Sequence, residues 1–256
     1  MSDPGLDEAI RAVGGITELA RRIGISQPSV SNWSRVPAER VLSVEAATGV
    51  ARAILRPDLY EKRLGVPDEV DAARAREYAL LAVLLARAPD AGFLTRIAKL
   101  RGDATPLGAT HGALAEAAKG ASADKIAREF FDLFVGVGRG ELLPYGSYYL
   151  IGFLNDRPLA RLREDLHALG IERVYKQCEP EDHAAILCEI MAGLIGGLFP
   201  ATVEGQRQIF EKHLAPWIGR FFADMVVADA ADFYRHVGAI GRLFIEIETQ
   251  AFALTG

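Results

Sequence analysis

Apolar residues recur at helical spacing along almost the whole of this chain. No stretch of its 256 residues alternates apolar and polar positions as a half-buried strand requires. A sequence patterned this way folds from helices alone, so the expected fold class is all-α. Short helices are expected at about 6–13, 16–23, 27–35 and 38–49, with Gly14-Gly15, Gly24 and Pro37 as breaks. A second set, most of them longer, is expected at about 71–88, 90–101, 107–119, 122–136, 145–154, 157–169, 180–198, 204–214, 217–227 and 230–254. Between the two sets, the segment from Arg56 to Asp71 combines prolines, a glycine and dense charge with little apolar periodicity, as a linker does. The expected organisation is a small domain at 1–60, a linker at 61–71 and a larger helical domain at 72–256.

Charge separates the two parts as well. The net charge is −5 overall; residues 1–63 carry about +1 and the remainder about −6, so the whole chain is no polybasic nucleic-acid binder. The N-terminus lacks a basic region followed by an apolar stretch and is not a secretory signal. The longest apolar tract, Ala184 to Phe199, is interrupted by Glu189 and falls short of the ~20 residues a membrane span needs. It reads as a buried helix, and the chain as soluble and cytoplasmic, with no membrane insertion.

No nucleophile sits in a recognisable elbow and no zinc-protease pattern occurs, so no catalytic residues are assigned and no enzyme is expected. Cys178, His183 and Cys188 follow no established zinc spacing, and Cys188 falls beside an apolar stripe; core packing is expected there, with no metal and no cofactor. The turn Gly136-Val137-Gly138-Arg139-Gly140 lacks the preceding strand and the Lys-Ser/Thr pair of a phosphate-binding loop, and reads as a helix end.

The segment from Ile16 to Trp33 meets the demands of two tightly crossed helices. Ala20 is small where they touch, Gly24 tolerates the positive φ of the turn, and Ile25, Val30 and Trp33 lock the second helix. Ser26 suits its N-cap and Pro28 its first turn. The outward positions are Gln27, Ser29, Ser31, Asn32 and Arg35. Gln and Asn can pair with adenine and Ser with bases or phosphates, while Arg21, Arg22, Arg35 and Arg40 suit the phosphate backbone. This arrangement resembles Cro-type helix-turn-helix domains, and the short YdaS-like group in particular, over roughly residues 5–60. DNA is the partner the resemblance implies, with dimerisation if a single module is to bind usefully. A net charge near +1 leaves protein contacts as the other reading.

In the larger part, Glu179-Pro180-Glu181-Asp182-His183 leads into an apolar run. Locally this reads as a helix start, with Pro180 at the first position, carboxylates near the positive end of the dipole, and a core stripe of Leu187, Ile190, Met191, Leu194, Ile195 and Leu198. The pairing of Asp182 with His183 is not predicted by that reading. The pattern Glu179-Pro180-x-Asp182-His183 resembles the motif of the TorD/DmsD family of all-helical chaperones. Phe130-Phe131-x-Leu133-Phe134, Leu143-Pro144-Tyr145-Gly146-Ser147-Tyr148-Tyr149 and His213-Leu214-x-Pro216-Trp217 are similar to further family segments in the same order, over about 72–254.

The resemblance implies a cytoplasmic chaperone that binds the twin-arginine signal peptide, or the apo form, of a molybdenum-cofactor oxidoreductase of the formate dehydrogenase or DMSO-reductase type. It places Glu179, Pro180, Asp182 and His183 near the peptide, and it is compatible with a homodimer. Tyr145, Tyr148, Tyr149 and Phe153 are candidates to line an apolar groove beside those carboxylates, although such aromatics more commonly lie in a core. The added N-terminal module opens an alternative: a helix-turn-helix transcriptional regulator whose larger domain senses unexported precursor.

Overall fold

The computed structural model describes residues 3–57, 68–171, 179–199 and 201–254. Within them every regular element is helical and no strand occurs. The chain forms two compact units, Met1–Val66 and Pro67–Gly256.

In the first unit, α1 (Pro4–Val13), α2 (Ile16–Arg22), α3 (Gln27–Ser31), α4 (Val41–Thr48) and α5 (Arg52–Leu55) surround a core of Leu6, Leu19, Ala20, Val30, Val36, Val41, Val44 and Leu55. Asp3 caps α1 by accepting the Gly5 and Leu6 N–H groups. The turn between α2 and α3 is made as the sequence predicts. Gly24 adopts φ +71°, and the Ile25 N–H reaches back to the Ala20 carbonyl at 3.0 Å. The Ser26 side chain accepts the Ser29 N–H. The expected helix at 27–35 ends at Ser31, however, because Trp33 and Val36 turn into the core. The helix expected at 38–49 opens with a 3-10 turn, Ala38–Arg40, before α4. Nor does Arg56 open a linker: it is buried in this unit and donates to the Val36 carbonyl at 2.7 Å.

The second unit holds α6 (Glu69–Ala86), α7 (Ala91–Ile97), α8 (Pro106–Gly120), α9 (Ala123–Phe130), α10 (Gly146–Ile151), α11 (Arg157–Ala168), α12 (Ala184–Ile195), α13 (Val203–Ile209), α14 (Ile218–Val227) and α15 (Phe233–Leu254). π-helical turns prolong α9 through Phe131–Val135 and α13 through Phe210–Leu214. The first of these ends at Gly136, φ +62°, so the glycine-rich turn is a helix end as expected. At the centre, α12 is buried on nearly every side and packs along α6; α15 packs along α14 and α8. A run interrupted only by the exposed Glu189 needs such a place, since nearly all of its surface is apolar. Glu129 accepts the N–H groups of Asp232, Phe233 and Tyr234 at 2.6–3.1 Å, satisfying the donors at the start of α15.

Candidate functional site

The motif residues do not enter the helix that follows them. Pro180 closes a turn, its carbonyl accepting the His183 N–H at 3.1 Å. The chain then pairs across to residues 144–146: Ala184 N–H donates to the Pro144 carbonyl at 2.8 Å, and Gly146 N–H to the Asp182 carbonyl at 2.9 Å, a single antiparallel bridge between Tyr145 and His183. Helix α12 therefore starts at Ala184 and ends at Ile195. This corrects the expectation that Pro180 opens it, that the carboxylates sit in its first turn and that Leu198 extends its stripe; Leu198 is exposed. His183 is the N-cap instead. Its Nδ1 accepts the Ala185 N–H at 3.1 Å, so the proton of the neutral ring lies on Nε2. The ring stands edge-on to Tyr145, centroids 5.1 Å apart.

Each acidic side chain of the motif has a distinct environment. Glu179 accepts from the Tyr145 hydroxyl at 2.6 Å. Burial, then the neighbouring Glu179 carboxylate, push the Tyr145 hydroxyl well above its usual value. Glu181 is buried and pairs with Arg163 of α11 at 2.8 Å. Asp182 is 3% exposed; its Oδ2 accepts the Ser147 N–H at 2.8 Å.

Two cavities flank the motif, and Glu181 and Asp182 face different ones. One, of about 910 Å³, is chiefly apolar: Leu166, Ile171, Ile186, Ile190, Leu198 and Phe199 line it, with Glu181 and Glu189 in its wall. The other, of about 760 Å³, is mixed and the more polar of the two, with Asp182, Glu164, Asp165 and Glu211 against Arg161, Lys212 and His213 beside several apolar residues. Helix α11 contributes to both: Arg163 and Leu166 to the first, Leu162 and Asp165 to the second. In the polar cavity His213 Nε2 donates to Asp165 at 2.8 Å, and the Trp217 indole N–H holds the His213 carbonyl at 2.6 Å. Burial pushes the Asp165 carboxyl up, but the bonds from His213 and Lys212 outweigh it and hold it below the usual range.

The aromatic residues take different polar partners, while the Tyr148 and Tyr149 rings meet edge-on, centroids 5.9 Å apart. Tyr145 adjoins the motif. Tyr149 joins the core, its ring against Trp217 and its hydroxyl donating to Asp224 at 2.8 Å. Tyr148 stacks with Arg139, which also donates to its hydroxyl. Neither lines either of these two cavities, and Tyr149 lies against the core as such aromatics more commonly do; Phe153 is exposed. Cys188 is fully buried and its thiol is pushed up to about 12 by burial, as core packing predicts. Cys178 lies outside the described residues, among which no group of side chains is placed to hold a metal ion. Sequence reasoning singled out Asp182 but passed over Ser147, Glu181, Asp165 and Arg163, whose convergence depends on a turn and a bridge that periodicity does not reveal.

On the first unit, Gln27, Ser29, Ser31, Asn32 and Arg35 are all exposed. Gln27 donates to Ser31 at 2.8 Å, and the Ser26 and Ser29 hydroxyls lie 2.7 Å apart. Arg21 and Arg22 both pair with Glu18, whose carboxyl is held down to about 2 by their hydrogen bonds, and Arg22 also donates to the Ala47 carbonyl at 3.1 Å. Two of the arginines suited to phosphate contacts thus already have an internal partner.

The histidines give the second unit an acid sensitivity with a defined sign. Burial lowers the pKa of His183 and of His213 from 6.5, the latter despite the pairing with Asp165. Both groups favour folding fully above pH 6.5. Below it the unfolded chain takes up protons that the folded chain refuses, so their contribution is lost as pH falls towards the lowered values. His111, raised by its bond to Glu77, acts in the opposite sense: its contribution is full below 6.5 and lost as pH rises through the raised value. The His183→Asn variant, which keeps a capping side chain, is expected to lose less melting temperature than wild type between pH 7 and pH 5. Melts at both values check this, and an unchanged difference would refute it.

Comparison with known proteins bears on both units. The family described as nitrate reductase delta subunit matches residues 100–223, and the family described as bacterial toxin YdaS matches residues 6–64. The chain is 30% identical over 131 residues to chaperone protein TorD of Vibrio cholerae serotype O1 (strain ATCC 39315 / El Tor Inaba N16961), covering 48% of this chain and 60% of that protein. Against chaperone protein TorD of Vibrio vulnificus (strain YJ016) it is 34% identical over 121 residues, covering 43% and 56%. It thus spans less than two thirds of the length of these relatives, which are named as chaperones and not as catalysts. A solved chain from Archaeoglobus fulgidus, described in terms of redox enzyme maturation, is 20% identical with a TM-score of 0.43, covering 68% of this chain and 93% of that one. No helix among the described residues is long and apolar enough to cross a membrane. By sequence the larger unit is similar to the TorD-type chaperones, and the smaller unit to the YdaS family.

Proposed function

We propose that this chain is a cytoplasmic maturation chaperone that holds the twin-arginine signal peptide, or the apo form, of a molybdenum-cofactor oxidoreductase of the formate dehydrogenase or DMSO-reductase type. The observation that carries the reading is the seating of the motif between two unlike cavities. Glu181 adjoins the apolar one and Asp182 the polar, acidic one. A twin-arginine leader presents the matching pair of features, two guanidinium groups beside an apolar stretch.

Titration calorimetry of the full chain with a synthetic leader from a molybdoenzyme encoded beside it tests the proposal. Micromolar binding is expected, weakened about tenfold or more by Asp182→Ala or by changing both leader arginines to lysine, given the worth of a charge-assisted bond. Absence of binding to any such leader would defeat the reading.

A second reading has support in the exposed Gln27, Ser29, Ser31 and Asn32 face of the first unit: a transcriptional regulator in which the larger unit senses unexported precursor. A salt-sensitive mobility shift of the promoter ahead of the same genes, with the chain as a dimer, is its expected sign. A chain that leaves this promoter unshifted at micromolar concentration would restrict the first unit to protein contacts.

A further inference from the structure

We infer that two copies of this chain associate through the groove between α6 and α12, about a two-fold axis, and so close the apolar cavity that opens there. Helix α12 gives the cavity Ile186, Glu189 and Ile190 at helical spacing, and α6 gives it Ala75, Arg76 and Ala79. The apolar surface runs on beyond them. Leu198, in the same wall, is 78% exposed, and Val83, seven positions past Arg76 and so on its side of α6, is exposed as well. An outward helix face normally carries polar side chains, and an apolar surface of this extent marks a place where something docks.

Charge decides what docks. Among the described residues neither Arg76 nor Glu189 has an ion-pair or hydrogen-bond partner; both are exposed, one on each helix of the groove. Arg163 and Glu181, in the same wall, are already paired. The wall therefore balances two arginines against two glutamates, within a part of the chain that carries about −6. Like-charged copies repel least where their surface is locally neutral. A two-fold contact brings the same patch of each copy together, so the patch must complement itself. This one does. An axis passing between Arg76 and Glu189 lays apolar surface on apolar surface and sets Arg76 of each copy against Glu189 of the other. A ligand bearing a single charge would satisfy one of the two and leave the other covered without a partner, which is costly.

The cavity closed in this way is the one that the proposed function gives to the apolar stretch of a leader. On that function, self-association and client binding exclude each other, and a bound leader releases monomers. The exclusion rests on that reading; the pairing does not.

Sedimentation velocity of the full chain over about 1–100 µM tests the pairing, with a dissociation constant of about 10 µM expected for a contact of modest size. Arg76→Glu and Glu189→Arg, each of which sets like charges together at both ends of the contact, should weaken it about tenfold or more. Mixing the two variants should restore it, because in the mixed pair each contact again joins opposite charges. Both positions are exposed, so folding is expected to survive, and melting temperatures check this. If either variant fails to fold, Leu198→Glu, which puts a charge into the apolar contact, decides in its place. A wild type that stays monomeric at about 100 µM overturns the inference and leaves the groove to a client. So does a dimer that neither variant weakens, which would run through another face, or a mixture that stays apart. A leader that binds and leaves the dimer intact refutes the exclusion. If no leader binds while the mixed variants pair, the interface stands and the chaperone reading falls.

Discussion

Glu248→Ala is expected to destabilise the larger unit by about 3–5 kcal/mol, the range for removing one partner of a buried ion pair. Glu248 is 1% exposed near the end of α15, and both of its oxygens accept from Arg74 of α6, at 2.7 and 2.9 Å. Arg74 also pairs with Asp71 and lies over the Phe252 ring, so it cannot simply swing into water when its partner is lost. The pair joins residues 174 positions apart in sequence. Denaturant unfolding should show the loss as a lower midpoint. Replacing both partners by apolar residues of similar size should cost much less, because it leaves no charge stranded. A cost below about 1 kcal/mol for Glu248→Ala would show that the pair is solvated in solution.

Trp217→Ala is expected to cost a similar amount, about 3–5 kcal/mol, for a different reason. The indole is wholly buried, stacks near Tyr149 and Phe221, and lies against Gly146, where even an added Cβ would sit 3.0 Å from the ring nitrogen. Truncation opens a void beneath the segment that carries Ser147. It also frees the His213 carbonyl that the indole N–H holds. Trp217→Phe separates the two effects: it refills most of the volume and restores no donor. A melting temperature for Phe close to wild type, with Ala far below, would assign the cost to packing; equal losses would assign it to the hydrogen bond.

How much of this was legible beforehand depends on the range of the interaction involved. Helix existence followed from periodicity, which is local, and the structure adds local caps: Asp3, Asp68, Asp90, Thr105 and Ser122 each accept a backbone N–H at a helix start. The Gly24 turn and the burial of Val30 were local for the same reason. The start of α12 was not. Pro180 and the acids satisfy every local rule for a helix N-terminus, yet pairing with residues 144–146 draws them out of the helix, and that pairing spans more than thirty positions. The tyrosines show the same limit: the Tyr148 and Tyr149 rings stay in edge contact, yet Trp217 and Asp224 hold one and Arg139 the other. Nothing in the sequence near Asp182 announced that Ser147 would meet it.

Helix α11 has a consequence for how the two cavities behave together. It stands as a party wall between them. A packed helix cannot yield to one side without intruding on the other, since interiors are nearly incompressible. A ligand that displaced α11 from one side would therefore reshape the other cavity, and any resulting effect on binding would by linkage be equal in both directions. A ligand that reaches only one cavity and a ligand that fills both would differ by more than the sum of their contacts.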